Sequence, residues 1–247
     1  MAQEDDKVKT YVKGFDELID GGVPTGSIVL LSGLAGTMKS SLAYYILYKN
    51  ALLKGKKCLY ITLEQNEGSL LMQMTQMGMP HAKVADKLLV VDVSSLRLEE
   101  KKPIEESWLG LTMKTIQKIK ERIGCDMMVL DSLDAYTMLA ESEFSRKAMF
   151  MFFEWLRKMG MTSFLVSETV DQMPLMALNQ GDIVKDRAYE AFLADGVIHL
   201  KLVPVGEVEV RRRIRCIKMR ETDHDMSYMD LTFKDGEFMV TKALPTE

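Results

Sequence analysis

The stretch Gly33-Leu34-Ala35-Gly36-Thr37-Met38-Lys39-Ser40-Ser41 follows directly on the apolar run Ile28-Val29-Leu30-Leu31. An apolar run, a glycine-bearing loop ending in Lys-Ser, and then Leu42, Ala43, Ile46 and Leu47 at helical spacing read as a strand that closes into a phosphate-binding loop and opens a helix. Backbone N–H groups of such a loop converge on phosphate oxygens. Lys39 supplies a point charge for the β and γ phosphates, and the Ser40 hydroxyl is a ligand for Mg²⁺. Gly33, Gly36, Thr37, Met38, Lys39, Ser40 and Ser41 are therefore the expected cradle for a nucleotide, with ATP and Mg²⁺ as its ligands. One position departs from the usual pattern: Met38 stands where glycine commonly precedes the lysine, in a turn that favours residues without a Cβ.

Along the first two-thirds of the chain, strand-like and helix-like patterns alternate, which predicts a mostly parallel sheet with crossover helices. Strands are expected at 27–31, 57–63, 88–93, 127–131 and 162–167. Helices are expected at 39–53, ended by Gly55, at 67–77, broken by Gly78-Met79-Pro80, around the stripe Leu111, Ile116, Ile119 and Ile123, and at 144–159. After Gln172 a polar segment runs to Arg187. Closely spaced strand patterns then follow at 197–203, 208–219, 228–233 and 238–241, read as an antiparallel extension of the sheet. The single phosphate loop in 247 residues favours one domain, taken as 13–247, behind a polar extension over 1–12.

Two carboxylates fall where ATP chemistry needs them. Asp131 ends the run Met127-Met128-Val129-Leu130, at the carboxyl edge of a central strand, where open α/β sheets bind ligands and where it can hold Mg²⁺ through water. Glu64 ends the run Cys58 to Leu63 in the same way. It is a candidate general base for the attacking water and a further candidate metal contact. Far downstream, Arg211, Arg212, Arg213 and Arg215 precede Lys218-Met219-Arg220. In an extended strand Lys218 and Arg220 share a side, although spacing alone equally suits a solvated basic face.

A net charge of −4 gives no overall attraction to nucleic acid or to an anionic membrane. Cys58, Cys125 and Cys216 lack metal-ligand spacing and read as small thiols in a reducing compartment, and no apolar run reaches the roughly 20 residues that span a bilayer. A cytoplasmic protein is the expectation.

The ordered set Gly14-Phe15-Asp16-Glu17-Leu18, Gly21-Gly22-Val23-Pro24-Thr25-Gly26, the phosphate loop, Thr62-Leu63-Glu64-Gln65, Leu130-Asp131-Ser132, Ser167-Glu168-Thr169 and Lys218-Met219-Arg220-Glu221-Thr222-Asp223-His224-Asp225 resembles a single KaiC-type domain of the RecA-like P-loop ATPases. The resemblance implies a homo-oligomeric ring, usually a hexamer, with ATP between subunits. It also implies that Lys218, Met219, Arg220 and His224 approach the nucleotide of the neighbouring protomer, with Asp235 near the same nucleotide, and it makes Glu64 the catalytic carboxylate. Four departures limit the likeness. The chain carries one such domain rather than two, Gln65 replaces the second glutamate, Glu221 replaces the glycine after the Lys-x-Arg core, and Ala191 and Phe192 align with the phosphorylatable Ser and Thr of the clock protein. A clock-type autokinase cycle is therefore not expected. Three readings stay open: an ATP-hydrolysing ring that switches conformation or binding to a protein partner, a low-turnover ATP sensor serving a membrane-associated machine, and a RecA-like DNA-binding recombination protein.

Overall fold

The computed structural model describes residues 6–93, 108–140, 145–168 and 189–243. Thr169 and the polar segment from Gln172 to Arg187 lie outside them. Nine strands form one sheet: β3 (Ile28–Gly33), β4 (Cys58–Thr62), β5 (Leu88–Asp92), β6 (Met127–Asp131), β7 (Thr162–Ser167), β8 (Gly196–Val205), β9 (Glu209–Met219), β10 (Met229–Lys234) and β11 (Glu237–Lys242). Their spatial order is β11-β10-β9-β8-β3-β7-β6-β4-β5. The six strands from β8 to β5 in that order pair in parallel, and β9, β10 and β11 continue the sheet antiparallel. The sheet class read from the sequence holds, and the strands at 127–131 and 162–167 match residue for residue.

Strand β3 lies between β7 and β8, buried along its whole length, as a continuous apolar run between two helical layers requires. Helix α1 (Lys39–Lys54) and helix α2 (Glu67–Gln76) belong to one layer. Helices α3 (Trp108–Ile123), α4 (Leu133–Leu139) and α5 (Arg146–Met159) form the other. Helix α1 is apolar nearly all round, and Tyr44, Tyr45, Ile46, Leu47 and Tyr48 are all buried. A helix of that kind needs cover on both sides. The parallel strands cover one side, and the C-terminal hairpin, at the far end of the same sheet, adds cover at Tyr45. There the Tyr45 ring meets Phe238 edge-on with centroids 5.1 Å apart, and the Tyr45 hydroxyl donates to Glu237 at 2.8 Å. The hairpin turn, Asp235-Gly236, has positive φ at both residues, the conformation of a two-residue type I′ turn.

The N-terminal stretch departs from a solvated polar extension. Lys7–Val8 (β1) pairs with Val23–Pro24 (β2), and Val8, Thr10 and Val12 are buried. The Asp16 carboxylate accepts from the Thr10 and Tyr11 backbone N–H groups, so backbone that an extension would leave to water is satisfied inside the fold. The sequence reading also lacked α4. Its seven residues are too few for periodicity, and only its cap marks it: Ser132 Oγ accepts from Ala135 N at 3.1 Å.

Candidate functional site

The carboxyl edge of the parallel strands gathers Lys39 and several carboxylates. Strand β3 ends at Gly33 and α1 begins at Lys39, so the intervening loop must turn tightly against β8. A Cβ on Gly33 would lie 2.2 Å from the Leu200 carbonyl oxygen, which makes glycine obligatory there. Met38 adopts the left-handed conformation, φ 73°, that a glycine would take without cost, and its side chain packs against the core around α1. The departure from the usual loop is therefore accommodated in the same backbone geometry, at the strain a Cβ imposes. Thr37 Oγ1 donates to the Leu34 carbonyl at 2.7 Å, and Lys39 Nζ donates to the same oxygen at 3.0 Å.

Ser40 and Asp131 meet: Ser40 Oγ donates to Asp131 Oδ1 at 3.2 Å. The other carboxylate oxygen, Oδ2, accepts from the Tyr60 hydroxyl. Burial raises the Asp131 pKa, opposed by the Tyr60 and Ser40 hydrogen bonds and by Lys39. Burial lowers the Lys39 pKa, opposed first by Glu168 and then by Asp131, Glu64 and Asp134. Glu64 Oε1 accepts from Ser132 Oγ, so the carboxylate is tethered at the mouth of the site while the residue stays exposed. Gln65 is fixed through its backbone, which exchanges hydrogen bonds with Thr62 Oγ1.

Glu168 and Asp134 were not singled out as site residues from the sequence. Glu168 follows directly on β7, the neighbour of β3, and its backbone N–H donates to Asp134 Oδ2 at 2.6 Å. The signal was available, since Glu168 ends a buried strand just as Asp131 and Glu64 do. Asp134 sits in the first turn of α4 and carried no such signal. Tyr60 was hidden inside an apolar strand.

Lys218, Arg220 and His224 stand elsewhere. The register pairs Val29 with Gly196 and Gly196 with Met219, which puts the end of β9 level with the start of β3, across β8. Five residues of strand separate Ile28 from Gly33, so this amino edge lies about 17 Å from the phosphate loop. Lys218 Nζ donates to the carbonyls of Ala191 (3.1 Å), Phe192 (3.1 Å) and Ala194 (2.5 Å), closing the helical turn at 189–193. Its pKa is lowered by burial and by Arg220. Arg220 Nη1 pairs with Asp195 Oδ1 at 2.8 Å, while Asp195 Oδ2 accepts from Ile28 N at 3.0 Å. The loop carrying His224 is pinned to residues 16–19 through Asp225 N and the Leu18 carbonyl, 2.9 Å apart. Asp235, in the hairpin turn, is also remote from the loop of its own chain. Lys49 pairs with the adjacent Glu237, and Lys49 lies ten residues, roughly 15 Å, along α1 from Lys39. Within one chain, then, the phosphate loop collects Ser40, Asp131 and Glu64, with Arg212 on the Gly36 carbonyl, and the structure does not bring Lys218, Arg220 or His224 to it.

The arginine run is largely engaged. Arg213 Nε pairs with Asp230 at 2.9 Å, Arg211 with Glu209 and Asp230, and Arg212 Nε donates to the Gly36 carbonyl at 3.2 Å. Arg215 lies over the Tyr228 ring, 4.3 Å from its centroid. Cys58, Cys125 and Cys216 are free and buried, and burial pushes the Cys125 thiol up to about 11 and Cys216 to about 12. Among the described residues no helix is long and apolar enough to cross a membrane.

A buried strand, a glycine-bearing phosphate loop, a helix opening with Lys-Ser and a strand-end aspartate facing that serine, within a mostly parallel sheet extended antiparallel, define the RecA-like P-loop class of ATPase fold. The chain belongs to the KaiC ATPase family, whose model, described as "ATPase: KaiC", matches residues 8–244. It is similar to the circadian clock protein KaiC3 of Synechocystis sp., 28% identical over 92% of this chain but only 44% of that protein. A UPF0273 protein of Aeropyrum pernix is 29% identical over 90% of this chain and 88% of its own length. Among solved structures, a KaiC-like protein from Pyrococcus horikoshii OT3 superposes with a TM-score of 0.77 at 27% identity, covering 95% of this chain and 98% of that one. The chain thus spans less than half the length of the circadian clock proteins it matches.

Proposed function

We propose that this chain binds ATP with Mg²⁺ at the β3–α1 loop and hydrolyses it at the interfaces of a ring, expected to be a hexamer, using slow turnover to switch conformation or binding to an as yet unidentified protein partner. The observation that supports this reading is the separation, on one chain, of the phosphate loop from the basic strand end. Loop, Lys39, Ser40, Asp131 and Glu64 stand at the carboxyl edge of the sheet, and Lys218, Arg220 and His224 stand at the amino edge. A neighbour in a head-to-tail ring can bring the second set to the first.

The donor set suits Mg²⁺, a hard cation that takes oxygen ligands and keeps several waters. Ser40 and Asp131 would hold it, with Glu64 nearby. Bound there, Mg²⁺ neutralises charge on the phosphates. Lys39 then holds the β and γ oxygens, and Glu64 takes the proton of the attacking water. Half-exposed Arg220 of the adjacent protomer stabilises the charge spread over the γ-phosphoryl oxygens, and Lys218, whose three donors are taken by carbonyls of its own chain, adds its charge at the same strand end. A cytoplasmic setting suits three buried free thiols.

The DNA-binding alternative is disfavoured, because Arg211 and Arg213 are paired with carboxylates and Arg215 packs on Tyr228. The sensor alternative turns on Glu64, whose tethered carboxylate favours turnover. Light scattering with and without ATP and Mg²⁺, paired with phosphate release, tests the reading. Nucleotide-dependent assembly with phosphate release is expected. A stable monomer hydrolysing ATP at the full rate would sink the shared-site mechanism, and assembly without release would favour the sensor.

A further inference from the structure

Asp131 presents two oxygens, and each has its own partner. Oδ1 accepts from Ser40, and Oδ2 accepts from the Tyr60 hydroxyl. The placement follows from sheet register. Thr62 of β4 is opposite Asp131 of β6, and Tyr60 is opposite Val129. Tyr60, Thr62 and Asp131 therefore share one face, with Tyr60 diagonal to Asp131, a separation that an aromatic side chain can cross. The ring is fully buried and packs on Tyr44, with centroids 5.7 Å apart. Tyr44 lies one turn after Ser40 on α1, so the helix that carries Ser40 also clamps the ring.

Packing alone would be met by phenylalanine. A hydroxyl this deeply buried costs free energy unless it is hydrogen-bonded, and here its partner is the carboxylate of the nucleotide site. The terminal torsion of an aspartate is soft. A donor on Oδ2 removes that freedom. We propose that Tyr60 is a positioning residue for the divalent cation: by holding Oδ2, its hydroxyl keeps Oδ1 turned toward Ser40 and the phosphate loop. The inference rests on the reading of Ser40 and Asp131 as the groups that hold Mg²⁺.

The test is Tyr60→Phe, which keeps the ring and removes the donor. ATP affinity is measured by calorimetry across a Mg²⁺ titration and again in excess EDTA, with circular dichroism to establish folding. Partners of this kind commonly change metal affinity by about 10- to 100-fold. The Mg²⁺ concentration for half-maximal enhancement of ATP binding should rise within that range, with affinity in EDTA unchanged. Tyr44→Phe, which loses a hydroxyl facing His81 instead, should leave the Mg²⁺ requirement where it was. If Tyr60→Phe does not fold, Tyr60→Met fills the space without a hydroxyl and carries the same expectation. An unshifted Mg²⁺ requirement, or an equal loss of affinity with and without Mg²⁺, overturns the role for Tyr60 while leaving ATP binding intact. Parent protein that binds no ATP under either condition overturns the nucleotide reading itself.

Discussion

The two edges of the central sheet are built in opposite ways. At the carboxyl edge, Lys39 is surrounded by Glu168, Asp131, Glu64 and Asp134 and makes one hydrogen bond to a loop carbonyl. At the amino edge, Lys218 is saturated by three carbonyls, and Arg220 is held by an aspartate that also anchors the start of β3. The first arrangement leaves a cation beside carboxylates where a polyphosphate and a divalent ion can enter. The second fixes the position of a basic strand end, with Arg220 still half-exposed, so that it is presented outward rather than to its own phosphate loop. On the reading proposed above, Arg220 is the group at this edge that acts on something another molecule supplies.

The largest expected effect breaks the comparison at the amino edge. Arg220→Ala should lower turnover by about 1,000-fold, the lower range for removing a trans-acting arginine. Mixing it in equal amounts with Lys39→Ala subunits should restore activity, because roughly a quarter of interfaces in randomly mixed rings then join an intact loop to an intact arginine. Co-assembled but inactive mixtures would place Arg220 outside the reaction. At the carboxyl edge, Lys39→Ala should cost about 3 kcal/mol of ATP binding, roughly 100-fold, as the loss of one partner in a buried charge contact commonly does. Unchanged affinity in the folded variant would remove the loop from the site. Glu64→Gln should slow phosphate release by about 100-fold while ATP stays bound. Equal release rates for variant and parent would reduce Glu64 to a strand-end charge held by Ser132. The smallest effect sharpens the comparison where the two halves of the sheet touch. Gly33→Ala forces a Cβ into the Leu200 carbonyl and should destabilise the fold by about 2 kcal/mol, read as a lower denaturant midpoint. A midpoint equal to the parent's would show that β3 and β8 can part without cost.

Much of this was legible in the residue order. Strand β3, the loop, α1 and its stop at Gly55 are local patterns, and so are the strand-end positions of Asp131 and Glu64. What escaped was either too short to be periodic, as with β1, β2 and α4, or chemically ambiguous. Tyr60 looks like any core aromatic until its hydroxyl is seen against Asp131. Lys218 and Arg220 looked like two cations free to share a phosphate. In the fold, one is occupied by backbone carbonyls and the other by Asp195.

The sequence by itself determined the alternation of strand and helix, the phosphate loop and the residue types at strand ends, because hydrophobic periodicity and loop chemistry act over a few neighbouring residues. Only the tertiary structure decided the strand order that places β3 between β7 and β8. The same holds for the meeting of Ser40 with Asp131 across 91 residues and for the separation of the basic strand end from the loop. Those depend on which strands pair and in what register. Pairing is settled by burial of two apolar faces over the whole sheet, and no local stretch of sequence encodes it.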